Sequence, residues 1–122
     1  MTLGGLRAWD DWGAEQVQLD QLQLAIIGNW AREVRWIAEV RVFGSRARDG
    51  AGPSSDVDIA ITLEGEDADT AFVFGEQKWE RELGERLGLR VDIEPWPPAH
   101  LRRHDAKMEE VLREAILIWS RQ

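Results

Sequence analysis

The stretch VRVFGSRARDGAGPSSDVDIAITL, residues 40–63, decides the fold. Its first four residues are β-branched or aromatic at three positions and stop at Gly44-Ser45, which is typical of a strand that enters a glycine turn. The next segment, residues 46–55, contains two glycines and a proline and is predicted to be a loop. Residues 56–63 begin with an alternation of acidic and apolar side chains, which predicts a second strand, antiparallel to the first.

Helical periodicity flanks this pair of strands. Apolar residues fall mostly four apart between about residues 14 and 35, and again at helical spacing in a segment that follows an acidic turn and ends near Gly88. Residues 90–94 alternate charged and apolar side chains and are predicted to form a third strand, ended by the prolines that follow. Residues 101–119 carry apolar residues at steps of three and four, which predicts a C-terminal helix packed on the sheet.

The order of these segments is helix, strand, strand, helix, strand, helix. It predicts an α+β fold in which a small mixed sheet is flanked by helices. A chain of 122 residues has the usual size of one domain, which we place at residues 13–122. Residues 1–12 show no sustained period and are expected to form a mobile lead-in or a contact segment.

The composition excludes several classes of function. The net charge of −8 repels phosphate backbones, so broad nucleic-acid binding is not expected. The absence of cysteine excludes a disulfide framework and a thiolate metal site. No segment approaches the roughly 20 apolar residues that cross a bilayer, and the N-terminus lacks the pattern of a secretory signal. We therefore expect a soluble cytoplasmic protein that does not bind membranes.

Three carboxylates are the first candidates for chemistry. Asp56 and Asp58 lie two residues apart on the second predicted strand, so their side chains point to the same face. Asp92, on the third predicted strand, would converge with them at one edge of the sheet. Such carboxylates repel one another without a counter-ion, and hard oxygen ligands suit Mg²⁺ or Mn²⁺ better than zinc. Since protein-bound Mg²⁺ often contacts substrate phosphates, the constellation predicts phosphoryl or nucleotidyl transfer.

A phosphate cradle is predicted at Gly44-Ser45. Glycine lets the backbone approach a phosphate, while the serine hydroxyl and exposed N–H groups can donate to its oxygens. Arg46 and Arg48 add positive charge beside the cradle, although each could equally be a solvated loop charge.

These pieces form a spaced pattern of FGS at 43–45, DVD at 56–58 after ten intervening residues, and VDI at 91–93. The pattern resembles the nucleotidyltransferase superfamily that includes DNA polymerase beta, and within it the minimal nucleotidyltransferases, the MNT partners of HEPN toxins. The resemblance implies the nucleotidyltransferase fold and ATP as substrate. It also implies that the aspartates of DVD coordinate two Mg²⁺ ions that bridge the triphosphate, that Asp92 completes the catalytic metal, and that Ser45 and the nearby arginines bind phosphates.

The same resemblance implies a partner. In HEPN and MNT pairs the small protein is an antitoxin that transfers AMP from ATP to a tyrosine of the toxin, so a HEPN-type protein is the expected acceptor here; whether the chain also forms a homo-oligomer is left open. Two other functions are weighed. The chain could be a binding module that neutralises its partner by contact alone, or it could transfer a nucleotide to a small molecule such as an aminoglycoside, or to RNA.

Overall fold

Two α-helices, one short 3₁₀ helix and four strands make up the part of the chain that the computed structural model describes, which is residues 17–47, 51–96 and 113–121. In chain order these elements are α1 (Gln21–Glu33), β1 (Ile37–Phe43), the 3₁₀ helix (Gly44–Ala47), β2 (Val57–Leu63), α2 (Ala68–Leu87), β3 (Val91–Pro95) and β4 (Ile116–Ser120). The predicted α+β class is confirmed, although the described C-terminal segment contains a strand where a helix was predicted.

The four strands form one mixed sheet in the order β3-β2-β1-β4. β1 runs antiparallel to both β2 and β4, as predicted for β2, whereas β2 and β3 are parallel. Parallel neighbours need a crossover connection, and α2 supplies it between β2 and β3. The carboxylate-bearing strands β2 and β3 are therefore adjacent, and the turn after β1 lies at the same end of the sheet as the start of β2.

A capping box starts α1. The Asp20 carboxylate accepts a hydrogen bond from the Gln23 N–H (2.7 Å), and the Gln23 side-chain oxygen accepts one from the Asp20 N–H (2.9 Å). This cap explains why α1 begins later than its apolar period suggested. Among the described residues, neither helix combines the length and the apolar character that a membrane span requires. The expected lead-in, residues 1–12, lies outside the described residues.

The core lies between one face of the sheet and the two helices. Its side chains on β2 are Val57, Ile59 and Ile61, all with zero exposure, which confirms the predicted alternation along this strand. The largest fully buried side chains elsewhere in the core are Trp30, Ile27, Ile37, Leu83, Ile93, Val40 and Val42. Burial of each such side chain stabilises the fold by about 1.5–3 kcal/mol.

The predicted C-terminal helix is wrong over its last residues, 116–119. Residues 116–120 form strand β4, which pairs antiparallel with β1. The segment contains an uninterrupted apolar run, ILIW at residues 116–119. Such a run can also form a strand when the edge of a sheet is available to pair with it. Trp119 of this strand packs on α1, where a Cβ at Gly28 would lie 3.2 Å from its ring. Residues 101–112 of the predicted helix lie outside the described residues.

Candidate functional site

Two of the three predicted carboxylates lie side by side. The parallel register of β2 and β3 pairs Asp58 with Asp92, while their neighbours Ile59 and Ile93 are buried in the core. Adjacent strands are about 4.8 Å apart, so both carboxylates leave the sheet from the same face and at the same level. Both side chains are half-buried. The arrangement concentrates negative charge and offers hard oxygen ligands at one point of the sheet.

Asp56 stands slightly apart from this pair. It precedes β2, its side chain is 50% exposed, and its Oδ2 lies 4.0 Å from Nε of Arg90. Within residues 17–47, 51–96 and 113–121, no group of three or more acidic or histidine side chains is close enough to hold a metal ion. An exposed ion pair of this length contributes little stability, so reorientation of Asp56 toward the other two aspartates would cost little.

Gly44 brings the turn after β1 against Asp58. Its φ of +74° is in the left-handed region, and a Cβ at this position would collide with Oδ2 of Asp58 and lie 3.2 Å from its Cγ. The β1–β2 register pairs Phe43 with Asp58, which explains the contact. Only glycine satisfies both the backbone angle and the close approach. The main chain of the turn, followed by the half-buried Ser45, is therefore held beside the aspartate pair.

The structure places Arg46 differently from what we expected of a phosphate-binding cation or a solvated loop charge. Its side chain is 3% exposed and turns inward, where the guanidinium donates to main-chain carbonyls. The acceptors are Gln18 (2.7 Å), Gly52 (3.4 Å), Pro53 (3.1 Å) and Ser55 (2.9 Å from Nη2 and 3.2 Å from Nε). Arg48, the other expected cation, lies outside the described residues.

Gln18 is a residue of this region that the sequence did not single out. Its N–H donates to the carbonyl of Arg46 at 2.7 Å, and its side-chain oxygen accepts from the Ala51 N–H at 2.7 Å. Within the same loop, the Ser55 hydroxyl accepts from the Gly52 N–H at 2.8 Å. Residue 18 fell inside the predicted first helix, and no local signal distinguished it from a helical glutamine.

Glu80 is a second residue that the sequence did not single out. Its carboxylate, on α2, accepts a hydrogen bond of 2.8 Å from the N–H of Ile93, the residue that follows Asp92. β3 is at the edge of the described sheet, and edge strands carry outward N–H groups that need a partner. Pro95, further along this edge, has no N–H to satisfy. Glu80 therefore anchors the strand that carries Asp92 to α2.

Comparison with known proteins identifies a family for the chain. Residues 26–118, well over half of the chain, match the family model described as "Nucleotidyltransferase domain". No curated protein sequence matches the chain.

Several solved structures share the fold. A tri-AMPylated Shewanella oneidensis HEPN toxin in complex with MNT antitoxin aligns with a TM-score of 0.57 and 19% identity, over 84% of this chain and 74% of that one. The toxin–antitoxin structure MntA–HepT aligns with a TM-score of 0.56 and 18% identity, over 84% and 74%. A mutant MntA–HpeT complex gives a TM-score of 0.58 at 18% identity, over 85% and 75%. At these identities the likeness shows the fold.

Proposed function

The chain belongs to the nucleotidyltransferase domain family, and on this premise we propose that it transfers AMP from ATP to a hydroxyl group of a HEPN-type protein, for which it acts as antitoxin. The observation that carries the proposal is the contact of the Gly44 turn with Asp58, which is itself in register with Asp92. A phosphate-binding turn and a pair of metal-binding carboxylates are thereby adjacent, as nucleotidyl transfer requires. The fold likeness to structures of HEPN toxins with their antitoxins supports the choice of partner.

The donor set fits magnesium. Asp58 and Asp92, joined by Asp56, would hold the metal through carboxylate oxygens, the ligands that Mg²⁺ prefers. Two neighbouring carboxylates on one sheet face are also stabilised by a cation between them. Magnesium, when bound, supplies charge neutralisation for the triphosphate and for the departing pyrophosphate. Two ions and ATP as the nucleotide are what the family resemblance implies.

The residues of the chain have distinct tasks in the proposed reaction. Gly44 lets the main chain approach the phosphates, and the Ser45 hydroxyl donates to their oxygens. Asp92 orients the acceptor hydroxyl and accepts its proton as the hydroxyl oxygen attacks the α-phosphorus. The bond from the α-phosphorus to the oxygen that bridges to the β-phosphate breaks, and pyrophosphate leaves. One of the similar structures contains a tri-AMPylated HEPN toxin, which supports AMP as the transferred group.

The proposal is tested by calorimetry of ATP with and without Mg²⁺, on the wild type and on Asp58→Asn. The substitution keeps the side-chain shape and removes one charge, and we expect it to weaken Mg-ATP binding by about 100-fold and to abolish transfer of labelled AMP to a HEPN protein. Asp67→Asn is the matched control, because Asp67 is exposed and its side chain makes no cap hydrogen bond to α2. Metal-dependent binding that survives in Asp58→Asn would sink the proposal.

One observation favours a second function. Asp56 lies beside Arg90 rather than with the other two aspartates, which is an arrangement that a contact-only binding module would tolerate. Such a module would neutralise its partner without turnover. Full neutralisation of the toxin by Asp58→Asn in cells, together with loss of AMP transfer, would favour this function over catalysis.

A further inference from the structure

We propose that Arg46 is a positioning residue of the nucleotide site, which sets the spacing between the Gly44–Ala47 turn and the start of β2 and does not itself bind phosphate. This inference rests on the proposed function, because it names how that same site is held together. It also assigns Arg46 a task that its place in the sequence, beside a phosphate-binding turn, did not suggest.

The hydrogen bonds of Arg46 join three separate segments of the chain. Arg46 belongs to the turn after β1. Its side chain donates to the carbonyl of Gln18, 28 residues earlier in the chain, and to that of Ser55, nine residues later. Ser55 directly precedes Asp56, so its carbonyl fixes where the acidic motif begins. The backbone of Arg46 adds to the same contact, because its carbonyl accepts from the Gln18 N–H at 2.7 Å. One residue thus links the turn, the segment before α1 and the loop before β2.

Burial and charge support a fixed role for this guanidinium. A buried cation is costly unless its donors are satisfied, and Nε and both terminal nitrogens of Arg46 donate to carbonyl oxygens. A side chain that is 3% exposed and bonded in this way would have to break these bonds to meet a phosphate. The planar fork of arginine reaches acceptors in several directions at once, which the single ammonium group of lysine does not.

Arg46 holds the loop that leads into Asp56, and this loop affects the geometry of the site. Residues 52–55 belong to the segment that connects the turn to β2, and three of them accept hydrogen bonds from Arg46 through their carbonyls. Without the guanidinium the carbonyls of Pro53 and Ser55 lose this donor, while the Gly52 carbonyl keeps its hydrogen bond from the Ser55 N–H (3.1 Å). We expect the position of Asp56 relative to Gly44 to become variable. A displacement of about 1 Å in a site of this kind costs about 100-fold in rate.

Lysine substitution distinguishes the two roles. If Arg46 were a phosphate-binding cation, Arg46→Lys would keep the charge and much of the affinity for Mg-ATP, whereas Arg46→Ala would lose it. If Arg46 positions the site, both substitutions should weaken Mg-ATP binding by a similar factor of about tenfold or more. Arg121→Lys is the matched control, since Arg121 also donates to several main-chain carbonyls and lies at the opposite end of β1, about 20 Å away.

Two measurements on the same proteins complete the test. Calorimetry gives the Kd for Mg-ATP, and amide hydrogen exchange reports the order of the loop without any nucleotide. In Arg46→Lys we expect the amides of Gln18, Ala51 and Ser55 to exchange at least tenfold faster, with the amides of α1 unchanged; in Arg121→Lys we expect those loop amides and the Kd to match the wild type.

The proposal is overturned if Arg46→Lys binds Mg-ATP like the wild type, if its loop amides keep their protection, or if Arg121→Lys weakens binding equally. Failure of the proposed function looks different. In that case the wild type itself does not bind Mg-ATP, while hydrogen exchange still decides whether Arg46 orders the loop.

Discussion

Arg46 and Arg121 make the same kind of contact at opposite ends of β1. Arg46 binds the carbonyls of the loop that precedes β2. Arg121, just after β4, binds the carbonyls at the end of α1 and the start of β1, which are those of Ala31 (2.9 Å), Arg32 (3.4 Å), Val34 (3.1 Å) and Ile37 (2.9 Å). At both ends the chain leaves regular structure, where ladder and helix hydrogen bonds become sparse. Ala31 and Val34 each accept one main-chain N–H, from Val34 (3.2 Å) and Ile37 (3.0 Å), and the guanidinium adds a second donor to both.

The two ends differ in the role of the segment that each arginine holds. The segment held by Arg121 is the C-terminus of α1, where a cation also interacts favourably with the helix dipole. The segment held by Arg46 leads directly into Asp56. Loss of the arginine contact at the Arg121 end of β1 should therefore lower only the stability of the fold. Loss of the same kind of contact at the Arg46 end should lower both the stability and the affinity for the nucleotide.

Two glycines allow the strongest test of the site end. Gly44 and Gly88 have nearly the same φ, +74° and +71°, but a Cβ at Gly88 would have no atom within 4 Å, whereas one at Gly44 would collide with Asp58. Both alanine substitutions should therefore cost about 1–2 kcal/mol of backbone strain. Gly44→Ala should in addition displace the Asp58 carboxylate and weaken Mg-ATP binding by about 100-fold or more.

Urea unfolding and Mg-ATP calorimetry on the two variants check this expectation. Gly88→Ala should retain the wild-type Kd, because only its backbone conformation is strained. Equal loss of binding in both variants would mean that strain anywhere in the fold reaches the site, and the contrast between the two ends would not hold.

The remote end is tested by Arg121→Ala. Removal of the guanidinium takes one donor from each of the carbonyls at the end of α1, of which Ala31 and Val34 keep a main-chain N–H. We expect the free energy of unfolding to fall by about 1–3 kcal/mol. The Kd for Mg-ATP should stay within about twofold of the wild type, since the site is at the other end of β1. Urea unfolding and calorimetry measure both quantities.

Arg35→Ala controls for the loss of an arginine near the same helix end. Arg35 is exposed and stacks over Trp36 with its Cζ 4.1 Å from the ring centroid, a contact worth about 0.5–1 kcal/mol. A fall in nucleotide affinity that parallels the loss of stability in Arg121→Ala would contradict the separation of the two ends.

The elements that could be predicted from the sequence are those with a clear local signal. The first three strands were predicted because each has a short run of alternating or β-branched residues bounded by turn formers, and α2 was predicted because its apolar period ends at Gly88, which caps it in a left-handed conformation. The placement of Asp58 and Asp92 on neighbouring strands also followed from pattern, since both lie on strands with the same alternation, whereas the convergence of Asp56 with them stays a prediction.

What the sequence did not predict depends on distant partners. The last strand forms because the outer edge of β1 accepts it, and no local feature of the ILIW run reveals that edge. The inward orientation of Arg46 depends on Gln18, 28 residues earlier in the chain. An arginine that follows a glycine-serine turn looks the same in sequence whether it faces a phosphate or the carbonyls of a loop.

The smallest expected effect concerns Glu33 and Arg86, which join the C-terminal ends of α1 and α2 near the segment that Arg121 holds. Two hydrogen bonds connect them, at 2.8 and 3.2 Å. The hydrogen bond from Arg86, together with its positive charge, outweighs desolvation and lowers the pKa of Glu33 below its usual 4.5. The lowered pKa means that the pair stabilises the fold above the unfolded-state value and that this contribution is lost as the pH falls through the folded-state value.

Glu33→Gln should therefore lower the urea midpoint slightly at pH 7, and the gap from the wild type should close as the pH falls below 4.5 and through the lowered pKa of Glu33. Because both side chains are largely exposed, the gap should also shrink in high salt. Glu85→Gln, at an exposed position on α2, controls for the removal of one negative charge from an acidic protein. A gap that widens at low pH would reverse the sign of the linkage, and a change in Mg-ATP affinity would show that even this exposed ion pair communicates with the aspartates of β2 and β3.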